Sequence, residues 1–555
     1  MISRERMSNN FKISRELMRK RRQIGENLQL SSEILFIFVY KYMSDNLKAY
    51  LNRLIEDEEF GLAGAYHDKK YYEYMELKSL RDLGYFFTMP QIFFDDIVNN
   101  DYESLYLDRI LFEAFIEGIK FKNEDNVSQY FRFFFNDYNH NLYQDNLRDE
   151  RNMVMRDFIL SISKLNIFEE EFTYSQVFNA ISNSRIVGAR GTPEYIHDIL
   201  VYLISRTKNS LESAYNPFLD DGSSLVGLHD NMDVGKFYGK ERNHINFMTS
   251  IVNMIICGVN LDNIIFFNES SLKDAEIENQ SFDAIISKIP NKFRNYDNRM
   301  YNQRNKEFSS KEVLRESMLS NLDIEENDLT VKMNKLLDDL ISEKMAIEAY
   351  APLEFMGEYE SLIDNEFRFV IDMIDSLKDD GIMAVSISQN FLFKNSLQIM
   401  RKFLTYEKNY LDAVISLPKE LGRSIRPEVI LIFKKNRNAR DVLFIDPSKD
   451  YSTKTSDNKV PGSFRRYLLL DDKTKEKILD CYLKRKTVDK FSNLISIDEI
   501  RKNDFNLSIS RYVDTYEGEF INLKELASEK NEIDKEMELL NKKINKLMDD
   551  LDIKL

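Results

Sequence analysis

The sequence is poor in cysteine. Only two cysteines occur among its 555 residues, Cys257 and Cys481, and neither lies in a C-x-x-C pattern or beside a histidine. This count excludes a fold held together by a disulfide framework, and the spacing gives no zinc-binding pattern. We therefore expect two reduced, buried thiols and no bound metal.

Long hydrophobic runs are also absent. Apolar runs such as EILFIFVY at 33–40 are far shorter than the ~20 residues that a membrane-spanning helix needs. No signal-peptide pattern precedes this run. The hydrophobic and charged fractions, 43% and 31%, are those of a folded globular protein. The composition predicts a cytoplasmic protein without a membrane partner.

Positive charge is in deficit. The chain carries 77 lysines and arginines against 93 aspartates and glutamates, which gives a formal net charge of -16. This balance argues against a protein that binds nucleic acid alone through a broad basic surface. Any contact with DNA or RNA must be local, or shared with a partner.

The patterns that are present divide the chain into regions. Helical periodicity with few glycines predicts an all-helical domain at 1–175. Short apolar runs alternating with helices predict a doubly wound, parallel α/β sheet at 185–455. A charged, helix-forming stretch at about 291–356 interrupts this alternation and is interpreted as an insertion. A helical tail is expected at 465–555.

The last predicted helix carries a heptad repeat over about 523–551. The apolar seam positions are Leu526, Ile533, Met537, Leu540, Ile544, Leu547 and Leu551. Such an a/d seam is typical of a coiled coil. The seam could pack on the chain's own domain, but a partner helix is the favoured interpretation because a terminal coiled-coil helix is marginal alone.

Three loops are candidates for a ligand site, because open α/β sheets bind ligands beyond the carboxyl ends of their strands. They are NPFLDDGSSL at 216–225, FYGKE at 237–241, and the end of FDAIISKIPNKF at 282–293. Glu241, at the end of a strand, suits a carboxylate that holds two ribose hydroxyls. The first loop has a single glycine, Gly222, which fits an ordinary turn as well as a ligand-binding loop.

The order of these segments resembles the methylation subunit of type I restriction-modification systems, a family of adenine-specific DNA methyltransferases that use S-adenosylmethionine. The segments are SSEILFIFVYKYMSD, GTPEYIHDIL, FYGKERNHINFMTSIVNMIICGV, LDAVISLPKEL, EVILIFKKNRNARDVLFID and DEIRKNDFNLSISRYV. The resemblance covers nearly the whole chain. It implies a Rossmann-like methyltransferase domain with an N-terminal helical domain and a C-terminal coiled-coil helix.

The catalytic motifs depart from the family pattern. Where the family has DPACGSGG, this chain has Asn216, Pro217, Phe218, Leu219, Asp220, Asp221, Gly222 and Ser223. Where the family has NPPF or NPPY, it has Lys288, Ile289, Pro290 and Asn291. The cofactor-binding positions that the resemblance implies are Thr192, Pro193, Asn216, Pro217, Asp221, Gly222, Ser223, Glu241 and Ser270. The last is the family's acidic position near the adenine ring.

These departures bear on the chemistry. Methylation of an adenine amine requires a flipped base stacked on an aromatic ring, with acceptors that hold the amine. Lys288 has donors only, and Asn291 offers no comparable ring. A degenerate site of this kind predicts weak or absent binding of S-adenosylmethionine and a lost activity.

Three functions remain open. The favoured one is a non-catalytic scaffold or regulator that works with a specificity subunit; the alternative is an active adenine-specific DNA methyltransferase. A nucleotide-binding or RNA-directed role on the same fold is a further alternative. The resemblance implies further partners: a second methylation subunit, a nuclease or translocase subunit, and double-stranded DNA bound through the complex.

Overall fold

The computed structural model describes residues 31–55, 61–123, 130–131, 148–164, 194–268, 280–289, 365–417, 428–450, 452–455, 466–469, 472–515 and 523–550. Within these ranges no helix is both long and apolar enough to cross a membrane. The same residues contain no group of three or more His, Cys, Asp or Glu side chains that could hold a metal ion.

The N-terminal region is helical, as expected. Its described helices are α1 (Ser31–Leu54), α2 (Gly61–His67), α3 (Lys69–Asp82), α4 (Phe94–Asp101), α5 (Leu107–Gly118) and α6 (Arg148–Ile162). The run from Ile34 to Tyr40 is at most 4% exposed, because a helix that is apolar all round must be buried on every side. The region also holds a short antiparallel pair, β1 (Tyr85–Phe87) with β2 (Ile119–Phe121), which the sequence analysis did not predict.

A nine-stranded sheet follows. Its strands are β3 (Ser210–Asn216), β4 (Asp233–Lys240), β5 (Ile264–Phe267), β6 (Phe282–Lys288), β7 (Leu377–Ser388), β8 (Leu411–Ser416), β9 (Glu428–Phe433), β10 (Val442–Ile445) and β13 (Ser492–Ile495). They lie in the order β13-β10-β8-β9-β7-β6-β3-β4-β5. The strands β5, β4, β3, β6 and β7 are mutually parallel. The α/β, Rossmann-like fold is confirmed.

The sheet is mixed rather than wholly parallel. β9 runs antiparallel to both β7 and β8, and β13 runs antiparallel to β10. The chain between β8 and β9 is too short for the helical crossover that a parallel pair needs. β13 also brings part of the expected helical tail into the sheet. A separate antiparallel pair, β11 (Ser452–Thr455) with β12 (Arg466–Leu469), completes the strands of the described residues.

Helices cover both faces of the sheet. They are α7 (Glu194–Thr207), α8 (Ser223–Asn231), α9 (His244–Ile256), α10 (Asn365–Asp375), α11 (Gln398–Lys402), α12 (Asp472–Lys484) and α13 (Ile497–Lys502). Strand side chains alternate between the two faces. In β6, Ala284 and Ile286 join the core that contains α1, α7, α8, α9 and α12, whereas Ile285 joins the core of α10, α11 and α13.

Residues up to Val513 form one compact unit, and those from Asp514 onward form a second. The described part of the second unit is the helix α14 (Leu523–Asp550). Of its predicted seam, Ile533, Met537 and Leu540 have side chains that the structure describes, and these are 57–58% exposed. The helix is present as predicted, and the coiled coil stays a prediction.

Candidate functional site

The candidate site lies where the strand order reverses. The chain passes from β3 to β4 and β5 on one side, and β6 then returns to the other side of β3. In open α/β sheets this is the point at which ligands bind. Asn216 ends β3, Ser287 lies near the end of β6, and Glu241 follows β4. The predicted placement of these residues at the carboxyl ends of adjacent strands is confirmed.

A buried hydrogen bond joins the two central strands at this edge. The Ser287 hydroxyl donates to Asn216 Oδ1 over 2.9 Å, and the Phe218 backbone N–H donates to the same oxygen over 3.0 Å. Asn216 and Ser287 are at most 1% exposed. The amide thus supplies a buried acceptor without placing a negative charge among apolar neighbours, where an unpaired carboxylate would be costly.

The loop after β3 keeps the turn that leads into α8. Gly222 has φ of +78°, and a Cβ there would lie 3.0 Å from Ser250 Cβ, so the position requires glycine. The carboxylate of Asp221 accepts the Ser223 backbone N–H over 3.1 Å and also the Ser223 hydroxyl. Asp220 has φ of +51°. The turn itself therefore requires glycine at position 222, whether or not a ligand binds to this loop.

Two large side chains of the same loop point into the protein. Phe218 is 6% exposed and packs edge-on against Phe369, with ring centroids 4.8 Å apart. Leu219 is 1% exposed and fills the space beside Gly239, where any Cβ would overlap it. Pro217 is buried with them. Where the family motif has small residues, this chain has a packed apolar layer.

Glu241 joins the loop after β3 to the turn that leads from β4 into α9. Its Oε2 accepts the Asp220 backbone N–H over 3.0 Å, and its Oε1 accepts the Asn243 backbone N–H over 2.6 Å. Burial raises the pKa of Glu241, while these backbone donors oppose the rise. A carboxylate can accept about four hydrogen bonds, and the backbone N–H groups of Asp220, Asn243 and Arg242 already act on this one, so little acceptor capacity is left for ligand hydroxyls.

Lys288 forms an ion pair that the sequence analysis missed. Its Nζ lies 3.6 Å from Glu428 Oε1, and the two side chains are 21% and 6% exposed. The Ser386 hydroxyl donates to Glu428 Oε2 over 3.1 Å. β7 lies between β6 and β9, so the pair spans three strands. The sequence offers one sign of this pair, which is the carboxylate of Glu428 at the start of the otherwise apolar run EVILIF.

The remaining predicted residues divide into two groups. Ile289 is 1% exposed, and its backbone N–H donates to the Ser386 carbonyl over 2.9 Å, which aligns the end of β6 with β7. The other predicted site positions lie outside the described residues: Thr192, Pro193, Ser270, Pro290 and Asn291.

Comparisons with known proteins agree with this architecture. The N-6 DNA Methylase family matches residues 172–322 and 357–519. The type I restriction enzyme MpnII methylase subunit of Mycoplasma pneumoniae is 22% identical over 97% of this chain and 95% of that protein. The MjaVII methylase subunit of Methanocaldococcus jannaschii is 24% identical over 64% of this chain and 54% of that protein.

Solved structures show the same fold. The methyltransferase subunit of a type I restriction-modification system from Streptococcus thermophilus aligns over 91% of this chain and all of that one, with a TM-score of 0.63 and 20% identity. A modification subunit of a type I restriction enzyme from Vibrio vulnificus aligns over 89% of this chain and 93% of that one, with a TM-score of 0.51 and 14% identity. The chain therefore belongs to the N-6 DNA methylase family.

Proposed function

We propose that this chain is a non-catalytic relative of type I methylation subunits and acts as a scaffold or regulator together with a specificity subunit. The observation that carries the proposal is the ion pair between Lys288 and Glu428. Lys288 occupies the position where the family places an asparagine that accepts the adenine amine. An ammonium group has no acceptor, and here it is already bound to a carboxylate of the protein.

The first loop supports the same proposal. Phe218 and Leu219 fill the region beside Gly239 with buried apolar atoms, and Asp220 and Asp221 replace residues that are small and uncharged in the family motif. The residues of this loop do not fit S-adenosylmethionine in the manner that the family motif implies, and we infer that its binding is weak or absent. We accordingly assign no methyl-transfer step to these residues.

The proposed partner role rests on the names of the relatives and on α14. The curated relatives are named as methylase subunits, which implies assembly with other chains. The described part of α14 exposes Ile533, Met537 and Leu540. Burying the seven seam side chains against a partner would be worth on the order of 10 kcal/mol before entropic costs. The further partners proposed are a second methylation subunit, a nuclease or translocase subunit, and double-stranded DNA.

The deciding experiment measures transfer of labelled methyl groups to DNA in the presence of a specificity subunit. We expect none from the wild type. Both rebuilt variants include Glu428→Gln, so that no buried carboxylate is left without its cation. The first carries Lys288→Asn, Ile289→Pro and Asn291→Phe, and we expect it to remain inactive because misplacement of even ~1 Å can cost ~100-fold in rate. The second also restores the first loop, through Asn216→Asp, Phe218→Ala, Leu219→Cys, Asp220→Gly, Asp221→Ser and Ser223→Gly.

If methylation is recovered only in the second rebuilt variant, this would support separate losses of function in the first loop and in the motif at 288–291, on a fold that is retained. An intact methylation subunit assayed with the same specificity subunit serves as the positive control. Robust methylation by the wild type would contradict the proposal and establish the alternative function.

That alternative, an active adenine-specific DNA methyltransferase, is favoured by one observation. Glu241 stands at the end of β4 beside the turn at Gly222, where a ribose-binding carboxylate belongs. Calorimetric titration with S-adenosylmethionine separates the two functions. Micromolar or tighter binding that is abolished by Glu241→Ala would favour the enzyme, and no detectable binding is expected.

A further inference from the structure

The edge of the sheet opposite the candidate site carries concentrated positive charge. The connections that precede β8 and β10 lie at the amino ends of these strands, and the connection at 434–441, KKNRNARD, contains four basic residues and one acidic residue, Asp441. In a chain with a net charge of -16, such a local excess is unusual. This edge is therefore a candidate binding surface.

The inner part of this edge is built on Asp412. Its carboxylate lies 2.9 Å from Arg437, 2.8 Å from Arg485 and 3.6 Å from Lys434. Burial alone would raise the pKa of Asp412, but the three cations outweigh burial and lower it. Three cations surround this one carboxylate, while Asp375 and Asp379 lie farther out at the same edge, near Lys435 and Tyr410. Arg437 and Arg485 also donate to the Asp441 carbonyl, and the neighbouring Arg440 donates to the Tyr406 carbonyl over 2.8 Å.

The outer part presents cations on aromatic rings. The guanidinium carbons of Arg440 and Arg501 lie 5.6 and 5.7 Å from the centroid of the Tyr406 ring. Lys408 Nζ lies 5.7 Å from the centroid of Phe403. Arg440, Arg501 and Lys408 are exposed. Among the described residues, Glu407 pairs with Lys402, Lys408 interacts electrostatically with Asp375, and neither arginine forms an ion pair.

This combination fits one kind of ligand. Two arginines held on one ring repel each other, and an anion bound between them would relieve that repulsion. Guanidinium groups recognise phosphate bidentately, and aromatic rings interleaved with cations are typical of nucleic-acid surfaces; here the rings of Phe403 and Tyr406 are half-buried, and the cations are the exposed groups. We call Phe403, Tyr406, Lys408, Arg440 and Arg501 the amino-edge surface.

We propose that the amino-edge surface binds the phosphate backbone of nucleic acid without regard to sequence. It lies at the opposite ends of the strands from Asn216, Ser287 and Glu241, so the proposal does not depend on whether methyl transfer is retained. A chain with an acidic surface would gain from such a site a means of holding DNA beside its partners.

The test measures binding of the full chain to a fluorescently labelled DNA duplex of mixed sequence by anisotropy, between about 50 and 200 mM salt. The variant is Arg440→Gln with Arg501→Gln, and we expect its affinity to fall about tenfold. Each phosphate contact contributes about -0.9 to the slope of log K against log salt, so loss of two contacts should make the slope less steep by nearly 2. The matched control is Lys70→Gln with Lys473→Gln, which removes two exposed cations elsewhere and should change neither quantity.

Two further measurements keep the test decisive. Arg440→Lys with Arg501→Lys retains the charge and should keep the salt slope. DNA should protect Lys408 of the wild type from acetylation, a result that does not depend on the folding of any variant. An unchanged affinity in the glutamine variant, an equal loss in the control, or no protection of Lys408 would overturn the proposal. Tighter binding of polyglutamate than of DNA would also overturn it and assign the surface to an acidic protein.

Discussion

At the scale of single residues, the ion pair of Lys288 with Glu428 determines what a substitution at Lys288 would cost. Replacing Lys288 with asparagine would leave Glu428, which is 6% exposed, without its cation. A buried carboxylate that loses its partner is strongly destabilising. The rebuilt motif should therefore need Glu428→Gln as well.

We predict that Lys288→Met and Glu428→Gln each lower the free energy of unfolding by about 1–2 kcal/mol, a value reduced for the partial exposure of Lys288. The double variant should cost less than the sum of the two, because the second change removes the group that the first left unpaired. Chemical denaturation of the four proteins measures the coupling. Strict additivity would show that the pair contributes nothing to stability.

At the scale of secondary-structure elements, the turn between β3 and α8 depends on Gly222. Alanine there must adopt φ of +78° and also approach Ser250 Cβ to 3.0 Å. We predict that Gly222→Ala costs about 2–4 kcal/mol of unfolding free energy. Gly258→Ala is the matched control, since its φ is +86° but its nearest neighbour is Tyr42 at 3.9 Å, and it should cost about 1 kcal/mol. Equal costs in thermal unfolding would mean that the contact with α9 is unimportant.

The helix α14 offers a similar matched comparison. Leu539 and Leu540 are 60% and 58% exposed, but only Leu540 belongs to the seam. Leu540→Asp should weaken capture of a specificity subunit by ~10-fold or more, because it places a charge in the proposed apolar interface. Leu539→Asp should change it little. If both variants are captured equally well, the seam is not the interface.

At the scale of the whole molecule, residues up to Val513 and residues from Asp514 form separate compact units. Deletion of 521–555 should therefore leave the melting temperature of the larger unit nearly unchanged while abolishing co-purification with the specificity subunit. Differential scanning calorimetry and affinity capture measure the two effects. Retained capture by the truncated chain would place the partner contact on another surface.

Much of the architecture could be predicted because it depends on local periodicity. Apolar runs that alternate with helices predicted strands β3 to β10 in chain order, and the heptad repeat predicted the last helix. The carboxyl-end position of Asn216, Glu241 and Ser287 also followed, since parallel strands present these ends at one edge. The role of Gly222 could not be chosen from sequence, because a turn glycine and a ligand-binding glycine look alike.

Tertiary structure alone decided the rest. No periodic pattern indicates that β9 inserts antiparallel between β7 and β8, and this order is what places Glu428 within reach of Lys288. The same order sets Arg440 and Arg501 around Tyr406. Sequence determined which local elements form, because helix and strand periodicities are properties of neighbouring residues. Strand order determined which distant charges meet, because that depends on how the completed elements pack.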